Sequence, residues 1–409
     1  MAYLAVLAVT MIVATMALGA LLAVRAQARA ANLMSDAAEA RLYALSAMEL
    51  GRLWISKDAN WRANRSHGVW VAGQPIGSGT FTLEVTDPLD GNLANRPHDA
   101  VVMKATAVKG QARQVLQVTL AANPTPLPAL ACALHTGGQI HIRAGKRLTA
   151  KFATLSTNGD LRNDGTITGN VEALTASTPG NVNGMLALGV PSKAFPASTV
   201  PEMYASLGTT IVPGDTINKR VLAPGYNPWG ATNADGVYVI RTTGNLTIKN
   251  TRICGTLVVI CPGHTVTLEG QVLLQPARSD YPALIVNGNL VLKYSSTGTT
   301  LSESTQNTNY NPAGAPYQGV ADSDTADQYP CEIQGLVHVI GTLDFADDSL
   351  VRGAVICESA ASSDAVQSHD SAEIVYDPRL YSNSAYIPQG YTTAVPMVPQ
   401  AGSWQQCVN

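Results

Sequence analysis

One uncharged apolar run at the N-terminus constrains this chain more than any other feature. Residues from Met1 to Val24 include no Asp, Glu, Lys or Arg, and Leu, Val, Ala and Met dominate. As an α-helix the run would extend roughly 36 Å, enough to cross the hydrocarbon core of a bilayer. A helix that is apolar on every face must be surrounded by lipid or protein. We therefore expect this segment to lie in a membrane or among other helices.

Three interpretations of the run compete. A cleaved secretory signal needs a basic stretch before a short apolar core; none precedes this long run, although Ala26-Gln27-Ala28 resembles a cleavage site. A plain membrane anchor would place Arg25 and Arg29 on the cytoplasmic side, together with the large cysteine-containing region that follows. The third interpretation is a helix that continues beyond the apolar run, and the next residues favour it.

The residues after the run keep a helical pattern without a break. Between Arg25 and Ile55 there is no proline and one glycine, and strong helix formers dominate. The pattern predicts a single helix over residues 1–58, roughly 80 Å long, whose first half is apolar all round and whose second half is amphipathic. The apolar positions of the second half are Leu33, Ala37, Ala40, Ala44, Ala47 and Met48.

The N-terminal sequence MAYLAVLAVT, running on through Leu22, resembles the mature N-termini of the type IV pilin and pseudopilin superfamily. The resemblance implies that Met1 is the first mature residue, N-methylated after a leader peptide is removed. Most members carry a glutamate at the fifth position, whereas this chain has Ala5. In lacking the glutamate it resembles the tip subunits of type II secretion pseudopili and some minor pilins. The resemblance implies a helix that forms the core of a filament, with Met1, Ala5, Thr10, Thr15, Gly19 and Leu22 among its core residues.

The composition of the remaining chain points to short strands and turns. Charged residues make up 13% and aromatic residues 6% of the chain, and the charged share is about half that of an average soluble protein. Within 59–123, the segments Gly79–Thr86, Ala100–Val108 and Gln114–Leu120 alternate apolar and polar residues, which predicts a small antiparallel sheet. The phrases GTFTLEVTD and ARQVLQVTL resemble the head domains of minor pilins.

A proline-rich linker is predicted at 124–130, and a parallel β-helix at 131–377. Short apolar strands recur there at a period of about 20 residues, each followed by glycine and a second strand, which is typical of a solenoid. A β-sandwich is the alternative, but its strands would be longer. Insertions at 179–235 and 295–329 are predicted to be long loops, and the tail 378–409 is expected to pack back along the head. The phrases GNLTI, PALIVNGNL, NPAGAPYQG and RGAVI resemble large exported β-helix proteins with pilin-like N-termini.

The even number of cysteines in an apparently exported chain predicts disulfides, with 15 connectivities if all are paired. Buried free thiols are the alternative. The spacing lacks CxxC pairs and adjacent histidines, so a zinc site is not expected. The six residues are Cys132, Cys254, Cys261, Cys331, Cys357 and Cys407.

Catalytic and ligand-binding motifs give little support for an enzyme. The best acidic cluster is Asp322, Asp324 and Asp327, a weak candidate for Ca²⁺ that also fits a solvated loop. The sequence has no GxSxG, HExxH, GxGxxG or Walker A motif, and we expect no enzyme activity and no cofactor. A net charge of −3 gives no reason to expect nucleic acid as a partner.

The sequence thus predicts a mainly β protein with one long N-terminal helix, a small antiparallel sheet and a parallel β-helix. The expected function is a structural subunit of an extracellular, type IV pilus-like filament, inserted in the inner membrane before assembly. Its partners would be copies of itself and the pilus or secretion assembly machinery. A minor or tip pilin acting as an adhesin for surface carbohydrate is one alternative. A membrane-anchored β-helix that binds or degrades polysaccharide is another.

Overall fold

The computed structural model describes residues 2–94, 96 and 98–407. The chain forms two compact units. The helix–sheet unit contains the residues up to Asn123 together with those from Val395 onward, and the solenoid unit runs from Pro124 to Ala394. The protein is mainly β with one long N-terminal helix and a many-stranded parallel sheet, which confirms the fold class expected from sequence.

The helix–sheet unit places one long helix on an antiparallel sheet. The sheet order is β1-β2-β3-β4, with each strand paired to the next along the chain. Its elements are α1 (Ala2–Lys57), α2 (Trp61–Asn64), β1 (Gly68–Ile76), β2 (Gly79–Thr86), β3 (Val101–Lys109) and β4 (Ala112–Ala122).

Alternating side chains give this sheet one buried face. Phe81, Leu83 and Val85 of β2 are buried, and the residues between them are only partly covered. The β3 strand repeats the pattern with Met103 and Ala105 among its buried residues. Because successive residues of a strand point to opposite sides, this two-residue period presents a continuous apolar surface to α1. The three strands anticipated from sequence are therefore present.

The solenoid unit is a parallel β-helix whose first coils come from the first third of its chain. A 3₁₀ turn at Pro128–Ala131 precedes them, with Leu130 buried, so the segment expected as a linker is part of this unit. The strands are β5 (Thr125–Pro126), β6 (Cys132–Thr136), β7 (Ile140–Ile142), β8 (Arg147–Lys151), β9 (Thr154–Asn163), β10 (Thr166–Thr168), β11 (Val171–Thr178), β12 (Asn181–Asn183) and β13 (Leu186–Leu188).

The remaining coils follow a helix, α3 (Val200–Leu207). Two further short helices, α4 (Glu303–Gln306) and α5 (Arg379–Ser382), interrupt or follow the strands. The strands are β14 (Thr209–Thr210), β15 (Thr216–Asn218), β16 (Val221–Leu222), β17 (Val237–Arg241), β18 (Leu246–Cys254), β19 (Thr256–Gln275), β20 (Leu284–Tyr294), β21 (Thr300–Ser302), β22 (Gln328–Pro330), β23 (Glu332–Val339), β24 (Leu343–Phe345), β25 (Leu350–Cys357), β26 (Val366–Ser368), β27 (Ala372–Tyr376) and β28 (Thr392–Ala394).

The order of the coils in space differs from their order in sequence. From β6 the chain winds toward one end of the solenoid, where β13 pairs with β11. It then crosses through α3 to the other end, where β14 pairs with β17. The later coils return to the middle, and β25, β26 and β27 pair in parallel with β6, β7 and β8. The first coil of the chain is therefore an interior coil, covered on both sides.

Stacked aliphatic side chains fill the solenoid. In-register pairing places one inward residue of each coil directly above its neighbour. Because no single coil can bury its own inward residues, the coils are stable only as a stack. One such ladder is fully or almost fully buried and consists of Leu246, Val266, Leu290, Leu343, Val366, Ile140 and Leu161.

The two predicted insertions contain more structure than long loops. The segment 179–235 includes β12 and β13 at one end of the solenoid, the crossing helix α3, and β14 to β16 at the other end. The segment 295–329 forms a hairpin of β21 and β22, joined through α4, beside the solenoid. Sequence spacing missed these coils because their strands are only two or three residues long.

The end of the chain belongs to the helix–sheet unit. Its last strands are β29 (Met397–Pro399) and β30 (Gln405–Cys407). Both pair antiparallel with β4. This pairing covers the edge of β4, which would otherwise expose unpaired backbone groups.

The prediction of disulfides is wrong: all six cysteines, each within the described residues, are free thiols. The strand register sets Cys357 beside Thr136 and Cys132 beside Thr154, so neither faces another cysteine. Burial raises the pKa of Cys132, Cys331 and Cys357 to about 11. These thiols therefore behave as small apolar core residues rather than as reactive groups.

We predict that Gly353→Ala destabilises the solenoid. Gly353 pairs with Gly335 on the neighbouring coil, and an added Cβ would lie 2.0 Å from the Gly335 carbonyl oxygen. Relieving this overlap should cost about 1–3 kcal/mol. Thermal unfolding followed by circular dichroism should show a transition lowered by about 3 °C or more. Gly244→Ala is the matched control, because its Cβ would meet only the Thr242 hydroxyl at 3.9 Å; equal shifts for both variants would contradict the prediction.

Candidate functional site

The first half of α1 carries a large apolar surface that none of the described residues covers. Every residue from Ala2 to Ser35 is exposed, and the large apolar side chains between Tyr3 and Val24 are 51% to 80% accessible. By length and composition α1 can cross a membrane. Since large apolar patches on soluble monomers are rare and mark interaction or membrane surfaces, this half-helix is the principal candidate functional surface.

Polar groups inside the apolar half are satisfied by the helix itself. The Thr10 hydroxyl donates to the carbonyl oxygens of Val6 and Leu7 at 3.0 and 2.9 Å, and Thr15 donates to Ile12 at 2.8 Å. These internal bonds let both threonines enter a dry environment without an unpaired hydroxyl. At Gly19 an added Cβ would meet nothing within 4 Å. Small side chains of this kind let a second helix approach closely.

The residues expected in a filament core are placed consistently on this surface. Ala5, Thr10, Thr15, Gly19 and Leu22 all lie in the exposed half of α1. The sixth, Met1, lies outside the described residues. Position five carries only a methyl group, and the first charged residue after the apolar run is Arg25.

The second half of α1 packs against the sheet. Its buried residues begin at Ala40 and continue to Ile55. The approach is close at Gly51, where an added Cβ would lie 2.9 Å from the Met103 side chain and 3.0 Å from Leu83. The buried residues on this face of α1 are Ala40, Ala44, Ala47, Met48, Gly51 and Ile55.

Polar contacts fix the helix where this packing begins. The Lys109 ammonium lies 2.9 Å from Glu39 Oε2, and the Tyr43 hydroxyl donates to the same oxygen at 3.1 Å. The hydrogen bond from Lys109 lowers the pKa of Glu39, and Tyr43 lowers it further. The same contact raises the pKa of Lys109. These contacts join α1 to the β3–β4 hairpin just after the exposed half ends.

The acidic group predicted from sequence is assembled differently in the structure. Asp322 and Asp327 come together with Glu303, and one carboxylate oxygen of each lies within 4.8 Å of the others. Asp324 lies outside this group and accepts from the Ala326 amide of its own turn at 2.9 Å. Sequence reasoning missed Glu303 because it lies 19 residues before Asp322, in the hairpin helix α4. Its one local signal is Ser302, which caps that helix.

An open groove lies on the solenoid unit beside α5. It has a volume of about 610 Å³, and its lining includes Tyr376 and Tyr386. Two arginines of the groove already have partners: Arg352 with Glu332 at 2.6 Å, and Arg379 with Asp377 at 2.7 Å. Asp377 is the one carboxylate among the lining residues. Glycoside hydrolysis uses a pair of carboxylates, and one carboxylate is found among the described residues that line this groove.

No protein-family model matches the sequence, and no curated protein sequence is similar to it. Among solved structures, the chain aligns with the competence-associated pilin ComZ from Thermus thermophilus at 11% identity and a TM-score of 0.22, covering 91% of this chain and 97% of that one. It also aligns with an ice-binding protein domain from Shewanella frigidimarina at 12% identity and a TM-score of 0.27, covering 62% and 96%. A glycosylated ice-binding protein from an Arctic yeast aligns at 9% identity and a TM-score of 0.31, covering 62% and 94%. These scores are too low to support an argument about function.

We predict that Ala44→Leu disrupts the packing of α1 on its sheet. Ala44 is fully buried against the sheet, so three extra carbons should cost about 1–3 kcal/mol. Four of the five tryptophans, Trp54, Trp61, Trp70 and Trp404, belong to this unit, so tryptophan fluorescence during denaturant unfolding reports on it. Ala38→Leu, on an exposed position of the same helix, should leave the midpoint unchanged. An unchanged midpoint for Ala44→Leu would contradict this packing.

Proposed function

We propose that this protein is a structural subunit of an extracellular, type IV pilus-like filament. Before assembly, the apolar half of α1 would be inserted in the inner membrane. In the filament, the same half-helices would form the core and the β-helix heads would form the exterior. Copies of this chain and an assembly machinery in the inner membrane are the partners. The observation that carries the proposal is that α1 is one continuous helix with two different halves. Its first half is apolar and is not covered by other described residues, and its second half packs on a sheet.

Burial of apolar area would keep the first half of α1 out of water, whether in lipid or in a filament core. Complete burial of one Leu, Val, Ile or Met side chain is worth about 1.5–3 kcal/mol. Many such side chains lie exposed between Tyr3 and Val24. In lipid they are already out of water, so subunits leaving the membrane must replace lipid contacts by helix contacts. The self-satisfied hydroxyls of Thr10 and Thr15 and the open position at Gly19 favour that close helix packing.

A role without catalysis is part of the same proposal. The acidic residues singled out by sequence make contacts within their own turns or hairpin. The solenoid groove holds a single lining carboxylate, already paired with an arginine. The stacked coils would thus serve as a rigid exterior.

A minor or tip subunit is the second candidate, and Ala5 favours it. In a repeating subunit, a glutamate at this position would lie near a neighbour's terminal amine, and Ala5 cannot make that contact. A tip subunit ends the filament, so it does not need to contact a copy of itself on one side. For such a subunit acting as an adhesin, the groove with Tyr376 and Tyr386 offers aromatic and polar side chains to a surface carbohydrate. The ratio of this chain to other filament proteins separates the two candidates.

We predict that Gly19→Leu separates membrane insertion from filament assembly. The added side chain keeps the segment apolar, so membrane insertion should persist, and a Cβ at this position meets nothing within 4 Å among the described residues. Between packed helices it should cost about 1–3 kcal/mol, or roughly a 5- to 150-fold loss of assembly. The measurement is immunoblotting of the membrane fraction and of sheared filaments from cells that carry each variant.

Two further variants complete this experiment. Val13→Lys places a charge in the middle of the apolar run and should remove the chain from both fractions. Ala72→Leu adds similar bulk at an exposed sheet position and should match the unaltered chain. Filaments of Gly19→Leu at the unaltered level would argue against close packing of these helices. Incorporation of Val13→Lys would argue against an apolar core.

A further inference from the structure

The hairpin segment 295–329 is anchored to the solenoid by one buried arginine. Arg252 of β18 is fully buried, and it donates to the carbonyl oxygens of Tyr310 and Ala315 at 2.7 Å and to that of Pro316 at 2.8 Å. Its guanidinium also lies 5.8 Å from the ring centre of Tyr329. This cation therefore holds the backbone of the segment, and it forms no ion pair with the acidic residues nearby.

Three carboxylates meet inside this segment, and the guanidinium of Arg252 interacts electrostatically with Glu303 without forming an ion pair with it. Glu303 is fully buried, and Asp322 and Asp327 are half-buried beside it. Within the described part of the chain, no Lys or Arg forms an ion pair with any of the three. Burying several carboxylates together is costly unless a positive charge compensates them. Their closest oxygens lie within 4.8 Å of one another, about twice the usual Ca–O distance.

Asn311 provides a second, independent indication of a ligand. The residue is 1% exposed, and its Nδ2 donates to Asp322 Oδ2 at 3.1 Å and to Asp327 Oδ2 at 2.9 Å. Its Oδ1 is buried and has no hydrogen-bond partner. A buried amide oxygen without a partner is rare and needs an explanation. Rotating the amide by half a turn would bring this oxygen toward both carboxylates, an arrangement that becomes favourable only with a cation between them.

We propose that Glu303, Asp322, Asp327 and Asn311 bind a calcium ion. The group offers three carboxylates and an amide oxygen, which are hard ligands, and it includes no Cys or His. Ca²⁺ accepts 6–8 oxygen ligands in flexible geometry, so water and neighbouring oxygens can complete the shell, whereas Mg²⁺ demands a stricter octahedron. The Tyr329 hydroxyl, 2.9 Å from Glu303 Oε1, lies at the edge of the same group.

The ion would tie together three separate parts of the segment. Glu303 lies in α4, Asn311 follows it in the loop, and Asp322 and Asp327 precede β22. Bound Ca²⁺ therefore closes the hairpin on itself, and Arg252 holds the closed hairpin on the solenoid. Because the ion binds only the ordered hairpin, calcium should stabilise the folded chain by an amount that grows with the logarithm of its concentration above the dissociation constant.

Terbium luminescence and thermal unfolding test this proposal on the full chain in detergent. Tb³⁺ substitutes for Ca²⁺, and excitation of Tyr329, whose hydroxyl lies 2.9 Å from Glu303 Oε1, should sensitise it, as should Tyr310, whose ring lies 6.2 Å from that of Tyr329. We expect a saturable signal that CaCl₂ displaces, and a thermal transition raised by calcium and restored by a chelator. MgCl₂ at the same concentration should have a smaller effect. No displaceable signal and no calcium-dependent shift in the unaltered chain would overturn the proposal without reference to any variant.

Matched variants locate the site. Asp322→Asn and Asp327→Asn should each weaken calcium binding at least tenfold, and Asn311→Leu should weaken it without changing the charge. Asp324→Asn removes an equal charge from the same loop but outside the group, and its affinity should stay within twofold of the unaltered chain. An equal loss in Asp324→Asn would show that the loop attracts cations only by its net charge, which would overturn the proposed ligand set.

Discussion

The apolar first half of α1 cannot remain in water, and the rest of the structure depends on this constraint. Its side chains between Tyr3 and Val24 have no cover from this chain. Lipid or other apolar helices must supply that cover, and the chain offers features suited to either. The length and the uniform apolarity suit a bilayer, and the small residues and internally bonded hydroxyls suit helix packing. From Ala40 onward, the same helix is buried against the sheet of its own unit.

In the solenoid, short strands with few charged and few aromatic residues are stabilised by stacking on one another. Its interior depends on register, because each inward side chain is buried only if the next coil lies directly above it. The chain path protects the coil that is made first, since β25 to β27 close over β6 to β8. This path couples distant parts of the sequence, so late residues must be in place before the earliest coil is complete. Folding is expected to be slow for the same reason.

Local sequence patterns predicted most of the fold, but they could not predict which distant segments pair with each other. The alternation of apolar and polar residues predicted β2 as Gly79–Thr86, and the short apolar runs with a period of about 20 residues correspond to solenoid strands such as the start of β19. The same patterns hold no information about which coil stacks on which, so the passage through α3 was missed. The cysteine count suggested disulfides, but the register separates Cys132 and Cys357 in the core. Among the acidic residues, the sequence found Asp322 and Asp327 but not Glu303, which joins them only through the fold of the hairpin.

Electron cryo-microscopy of filaments sheared from native cells, with mass spectrometry of the same sample, tests the central claim most directly. The account predicts that this chain is present in the filaments, with residues 2–24 of α1 packed against other helices along the filament axis. A ratio near one chain per repeat identifies the main subunit, and a trace amount identifies a tip subunit. Filaments that lack this chain, or that place the apolar half of α1 on the outer surface, would contradict the account.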